Sequence, residues 1–271
     1  MIPPIEKVSL CEFRLDQIDD GFDVSLPLPP PNRRKKWRTF STLCYSIDTV
    51  LLRSKDALSE PWLEFDHPFR STPGVFFRIN KEHEDLSAVI NDARKYLMPE
   101  SKNPLLLPDI KSHHLNISHC GFFLGRTNHQ AGAIRLNITG SNQWEWLKRQ
   151  TKELSPTLEE LLANMGLCWS ATFDWAEGGI TRLGFEIYPK NHLQRASHFD
   201  SSAVHTLIKE MSSYCSLDQI VNCRDLFHTW LSRNSLDHQI NFSHFKLLHA
   251  LDGNQALKLY LVSSQASQRN S

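Results

Sequence analysis

Residues 168–188 read CWSATFDWAEGGITRLGFEIY, two apolar-rich runs separated by Glu177-Gly-Gly179. A glycine pair reverses the chain at little steric cost, so this stretch predicts a β-hairpin of Cys168–Ala176 and Ile180–Tyr188. Successive strand side chains point to opposite faces. In the second strand Leu183, Phe185 and Ile187 form one face, and Arg182, Gly184, Glu186 and Tyr188 the other. The first face needs a covering layer. The second carries charge and needs water or a counter-ion.

The same unit recurs on both sides. Pro61–Phe69 and Gly74–Asn80 flank the turn-type sequence Arg70-Ser-Thr-Pro73. Leu115–Gly125 and Ala133–Thr139 flank Asn128-His-Gln-Ala-Gly132, and Ile240–Leu251 and Ala256–Val262 flank Asp252-Gly-Asn254. Turn residues of these kinds between β-patterned runs read as hairpins. Helical spacing lies between the hairpins. His83–Met98 places Leu86, Val89, Ile90, Ala93 and Leu97 on one face, followed later by Trp144–Lys148, Thr157–Met165, Ser202–Tyr214 and Ser216–Leu231. Gly166 suits a helix C-cap. The order is ββα about four times, at intervals of about 50 to 70 residues, a repeat of architecture and not of residue identity. Hairpins make antiparallel neighbours, and the chain has no GxGxxG, so a parallel dinucleotide-binding sheet is disfavoured.

Ahead of the repeats, residues 24–36 (VSLPLPPPNRRKK) read as a linker or exposed loop with polyproline character. Thr39–Arg53 is apolar enough for a helix or a buried strand. The expected organisation is an N-terminal segment over 1–38, one domain over 39–263, and a disordered tail over 264–271. Lys+Arg and Asp+Glu number 30 each, so no global field draws nucleic acid or an anionic membrane, and any cationic site is local. Cys11, Cys44, Cys120, Cys168, Cys215 and Cys223 show no paired spacing and read as buried thiols of a reducing compartment. Met1–Leu10 lacks the marks of a signal peptide, and no apolar run is long enough to span a bilayer. A cytoplasmic location is expected, and the Asn-x-Ser/Thr matches at Asn116, Asn137 and Asn241 are then fortuitous.

The other strands divide as 182–188 does. Ile134, Leu136 and Ile138 oppose Arg135 and Asn137, and Phe77 and Ile79 oppose Arg78 and Asn80. Leu63 and Phe65 oppose Trp62, Glu64 and Asp66. Phe245 and Leu247 oppose His244 and Lys246, while Leu257, Leu259 and Leu261 oppose Lys258 and Tyr260. Two architectures satisfy this pattern. An open α+β sheet leaves the polar face in water or against a partner chain. An antiparallel β-barrel with helices outside instead lines a polar lumen with Arg78, Arg135, Arg182, Lys246 and Lys258, with Tyr260 nearby. The barrel explains the repetition better. Five clustered cations require carboxylates or a strong anion, and a diphosphate gripped by Arg is the simplest such ligand.

At this level the chain resembles the ABBA-type prenyltransferases, whose αββα units close into a barrel with a polar interior. The family includes the aromatic and the cyanobactin peptide prenyltransferases. Pro61-Trp-Leu-Glu64-Phe resembles the family's first-strand segment with its acidic residue. Phe76-Phe-Arg78-Ile resembles the paired strand with its diphosphate-binding Arg. Ala133-Ile-Arg135-Leu-Asn-Ile resembles the basic strand of the second unit, and Phe242-Ser-His-Phe-Lys246 with Leu257-Lys-Leu-Tyr260-Leu resembles the closing hairpin with its Lys-x-Tyr. The resemblance spans roughly 60–263, with four units where the family shows five. Arg135-Leu-Asn137 and Arg182-Leu-Gly184 replace further Lys-x-Tyr strands, leaving the tyrosine shield incomplete.

The resemblance implies transfer of an isoprenoid from an allylic diphosphate to a peptide or aromatic acceptor in natural-product tailoring. Arg78, Arg135, Arg182, Lys246 and Lys258 would hold the diphosphate and stabilise its departure. Tyr260, Trp62 and Trp175 would face the allylic cation, and Glu64 would accept the proton or orient the nucleophile. Magnesium is possible but not required. The alternative is a non-prenylating barrel that binds a peptide or polyanion as an accessory module.

Other motifs have plainer readings. Asp19-Asp-Gly-Phe-Asp23 matches DDxxD but contains Gly21 and borders the proline run. His198-Phe-Asp200, with His249 at a possible distal spacing, matches an iron-binding HxD, yet Asp200 or Ser201 suits an N-cap. His113-His114 and Arg33-Arg-Lys-Lys36 read as surface, and Trp144, Trp146 and Trp230 as core.

Overall fold

The computed structural model describes residues 9–16, 21–67, 72–80, 85–101, 103–124, 132–151, 154, 158–160, 162, 168–177, 179–189, 201–233, 238–249 and 255–265. Ten strands form one closed antiparallel barrel in the order β1-β10-β9-β8-β7-β6-β5-β4-β3-β2. They pair as successive hairpins: β1 (Ser9–Arg14) with β2 (Phe22–Pro27), β3 (Leu58–Phe65) with β4 (Gly74–Ile79), and β5 (Asn116–Phe123) with β6 (Ile134–Thr139). β7 (Cys168–Ala176) with β8 (Gly179–Tyr188), and β9 (His238–His249) with β10 (Gln255–Gln265), complete the wall. The α-helices with bounds inside the described residues are α1 (Ser41–Arg53), α2 (Leu86–Leu97), α3 (Gln143–Gln150), α4 (Ser202–Glu210) and α5 (Leu217–Arg233). The open-sheet alternative is thereby excluded, because β1 pairs with β10 from Ser9↔Ser263 to Arg14↔Lys258 and leaves no edge.

The hydrophobic core lies between the barrel wall and the helices. Leu63, Val75, Phe77, Phe122, Leu136, Phe185, Phe245 and Leu259 point outward with no more than 1% exposure. The helices meet them with faces spaced at the helical period, such as Cys44, Ile47 and Val50 of α1 or Ile220, Cys223, Phe227 and Leu231 of α5. Aromatic pairs bind the layers together. Trp146 of α3 lies 5.4 Å from Phe173, and Phe40 lies 5.6 Å from Phe65. Trp144 and Trp230 are half-buried against the same core, as the sequence suggested. Burial pushes the thiols of Cys215 and Cys223 up to about 11 and about 12. No helix among the described residues is long and apolar enough to cross a membrane.

The N-terminal region departs from the expected linker. Ser9–Arg14 and Phe22–Pro27 supply the fifth hairpin, so the barrel begins near residue 9 and not near residue 39. Their alternation explains this: Cys11, Phe13, Val24 and Leu26 are at most 2% exposed on the core side, while Glu12 and Asp23 face the lumen. Pro27 sits at a strand end, where its missing N–H costs no ladder bond. The basic stretch that follows is a 3-10 segment, Pro31–Phe40, clamped by burial of Trp37 and Phe40. Arg34 there donates to the Pro29 carbonyl at 2.6 Å and to Asp48 at 2.7 Å. Within Thr39–Arg53, residues Ser41–Arg53 form helix α1. Asp19, Asp20, His198, Asp200, most of Thr157–Met165 and residues 266–271 lie outside the described residues, while Ser264 and Gln265 of the expected tail belong to β10.

Candidate functional site in the barrel lumen

Strand alternation sends one polar side chain in two toward the barrel axis, and register fixes which of them meet. Arg135 of β6 stands opposite Asp174 of β7, and Asp174 opposite Arg182 of β8. Lys258 stands opposite Lys246, Lys246 opposite Glu186, and Glu186 opposite Ser170. Tyr260 stands opposite His244 on one side and Glu12 on the other. Glu64 pairs with Ser25 and Gly74 across β2 and β4.

Three carboxylates answer three of the cations. Arg135 forks onto Asp174 through Nε–Oδ1 at 2.8 Å and Nη2–Oδ2 at 3.2 Å, with Asp174 1% exposed. Burial opposes the Arg135 charge, but the attraction of Asp174 outweighs it and holds the guanidinium above its ordinary range. Glu186 accepts from Asn137 Nδ2 at 2.9 Å, Tyr188 OH at 2.8 Å and Ser170 Oγ at 3.3 Å, with Lys246 Nζ at 3.5 Å. Burial alone would raise its carboxyl; Lys246, His244, the Tyr188 hydroxyl and His119 instead bring it down to about 2. Glu12 accepts from both Lys258 Nζ and Tyr260 OH. Arg182 differs, having no hydrogen bond or ion pair to a carboxylate among the described residues. Burial, then repulsion from Arg135, lowers its guanidinium, and Asp174 only partly offsets this.

Aromatic rings form the rest of the wall. His244 stacks on Tyr260 at 4.2 Å and 13° and lies 4.8 Å from Tyr188. On the opposite side Phe76 meets Phe123 at 5.8 Å, and the Arg135 guanidinium lies over the Phe123 ring at 4.5 Å. Gly121 makes room for Phe76, since a Cβ there would come within 2.3 Å of its ring.

Of the predicted residues, Glu64, Arg135, Arg182, Lys246, Lys258 and Tyr260 share the lumen. Glu64 acts electrostatically on Arg135, Lys246 and Tyr260 together. Trp62 is half-buried opposite Phe76. Two residues stand elsewhere. Arg78 occupies the barrel mouth at 60% side-chain exposure and pairs at 3.0 Å with Glu60, whose φ of 46° marks the bulge in β3. Trp175 lies outside the wall, 6.1 Å from Phe173, and donates Nε1 to the Leu106 carbonyl at 2.8 Å. It therefore cannot face a ligand in the lumen. Glu12, Asp174, Tyr188 and His244 were not among the predicted site residues. Alternation marked His244, Glu186 and Tyr188 as lumen-facing, but no sequence signal discloses which charges pair across strands.

Lys246 supplies a pH test. Burial, then Arg135, pushes its ammonium down to about 8 against the pull of Glu186, Asp174 and Glu64. In the unfolded chain a lysine titrates near about 10.4. Between those values the unfolded chain binds the extra proton, so this group makes stability rise with pH. Buried thiols such as Cys215, raised in the fold, act in the opposite sense. The contribution is therefore read as a difference. From pH 8 to pH 10, wild type is expected to gain about 2 to 3 kcal/mol relative to Lys246→Met in urea unfolding. Parallel curves for the two proteins would contradict the assignment.

Fold and lumen together define an ABBA-like α+β barrel with a charged, aromatic-lined interior. No protein-family model matches the chain, and no curated protein matches it. Among solved structures, the chain is similar to the crystal structure of the prenyltransferase PriB in its apo form. The TM-score is 0.52 at 14% identity, over 96% of this chain and 83% of that one. At that identity the likeness establishes the fold.

Proposed function

We propose that the chain transfers an isoprenoid from an allylic diphosphate to an aromatic or peptide acceptor inside the barrel. The observation that carries this reading is the convergence of Glu64, Arg135, Lys246 and Tyr260 in one electrostatic cluster, with Arg182 beside it. In the reaction the allylic C–O bond breaks and diphosphate leaves with the electron pair, its charge met by Arg182, Arg135, Lys246 and Lys258. The freed carbon bonds to the acceptor, and the proton lost from the acceptor passes to Glu64. Trp62, Tyr260 and the neighbouring rings present π-faces to the cation and exclude water from it. The fold likeness to a prenyltransferase supports the reading. No metal is invoked in these steps.

A second reading, a barrel that binds a polyanion or peptide without transfer, draws on a different observation. Arg135, Lys246 and Lys258 already hold carboxylates, so their charges are balanced without a ligand. Thermal unfolding with dimethylallyl or geranyl diphosphate, with and without Mg²⁺, separates the cases. Binding to the native state at a hundred times Kd adds about 2.7 kcal/mol of stability, a rise of several degrees. A rise with consumption of diphosphate in the presence of an aromatic or peptide acceptor supports transfer. A rise without turnover supports the binding module. No shift with any diphosphate would sink the transfer reading.

A further inference from the structure

The three carboxylates that pair with lumen cations are not equivalent. Glu186 is fixed by Asn137, Ser170 and Tyr188 besides Lys246, and Asp174 is forked by Arg135 at 1% exposure. Among the described residues Glu12 has two partners, Lys258, assigned above to the diphosphate, and the hydroxyl of Tyr260, whose ring is assigned to the neighbouring cation wall. Its strand neighbour on the other side is Asp23, a like charge directly opposite on the lumen face. Arg14, two residues on along the same face, is tied to Asp16 and 42% exposed. A carboxylate held by a lysine ammonium and a tyrosine hydroxyl satisfies both donors as a phosphate oxygen would.

Resting on the proposed diphosphate reading, we propose that Glu12 is a built-in stand-in for the ligand, closing the Lys258–Tyr260 subsite until an anion displaces it. In the exchange, diphosphate oxygens accept from Lys258 Nζ and Tyr260 OH, and the Glu12 carboxylate turns toward Arg14 or water. No covalent bond changes. The contact keeps the Lys258 charge satisfied in the empty barrel, at the expense of anion affinity. Glu12 therefore sets how tightly the lumen holds its ligand. A purely structural carboxylate would behave differently, since its loss would weaken fold and binding together.

Inorganic pyrophosphate titrated calorimetrically into wild type, Glu12→Gln and Glu12→Gln/Lys258→Met tests this. Glu12→Gln is expected to melt lower when empty yet to bind pyrophosphate at least tenfold tighter, and the double variant is expected to lose that gain. Glu12→Asp, which keeps the charge but withdraws it by one methylene, should fall between and carries the test if the glutamine variant does not fold. Equal or weaker binding in the Glu12 variants, with wild type binding, overturns the stand-in role and leaves the diphosphate reading intact. Absence of binding in all of them overturns the diphosphate reading and this inference with it.

Discussion

Replacing Asp174 by alanine is expected to cost about 3 to 5 kcal/mol of folding stability, the largest loss from any single lumen substitution. The carboxylate is 1% exposed and forked by Arg135, itself 9% exposed. Its removal strands a guanidinium that cannot shed its proton, in a wall that supplies no second carboxylate at hydrogen-bonding distance among the described residues. Exchange of both partners for apolar residues, Arg135→Met with Asp174→Leu, should restore most of the loss. Burying a bonded ion pair gives little net gain over well-packed apolar groups, whereas burying half of one is costly. Denaturant midpoints of wild type, both single variants and the double variant complete the cycle. If Asp174→Ala lost less than about 1 kcal/mol, the pair would count as solvated and of the surface kind.

The second large effect falls on binding and spares the fold. Arg182→Ala is expected to weaken pyrophosphate binding about 10- to 100-fold, the worth of one charged hydrogen-bonding group at about 1.5 to 3 kcal/mol. Arg135, Lys246 and Lys258 each keep a carboxylate partner, whereas the Arg182 guanidinium is repelled by Arg135 and Arg14. Its removal therefore relieves repulsion, and the thermal midpoint should hold or rise. Weaker binding together with a fall in stability would assign Arg182 to the structure and not to the ligand. Unchanged binding would remove it from the site.

The barrel was legible because its wall obeys a two-residue period. Leu183, Phe185 and Ile187 against Arg182, Glu186 and Tyr188 is a pattern that a solvent-facing loop does not produce, and four hairpins repeat it. The fifth is harder to read, although its strands are as long as β4 and β6, because each offers two core-facing apolar residues where those strands offer three. In SLCEFR and FDVSLP only Cys11, Phe13, Val24 and Leu26 mark the core face, and the adjoining prolines make the stretch look like a linker. Site residues divided along the same line. Arg135, Arg182, Lys246, Lys258 and Tyr260 were found by alternation. Aromatic character alone points to Trp175, although it shares the strand face of Phe173 and so belongs outside. Arg78 has the right alternation but sits one residue from the end of β4, and alternation does not report depth in a barrel. The pairings of Glu12, Asp174 and Glu186 depend on register across strands, which local sequence does not encode.

The seam between β1 and β10 also constrains how the molecule is made. Ser9 and Ser263, 254 residues apart, share a 2.6 Å hydroxyl contact, and the ladder around them is the last to become possible during synthesis. Until β10 leaves the ribosome, β1 presents an unpaired edge, and Glu12 has neither Lys258 nor Tyr260. Contacts of such sequence separation slow folding, and an open edge invites pairing with another nascent chain. Production of this barrel should therefore respond to the rate of translation and to chaperone supply more than its native stability would indicate.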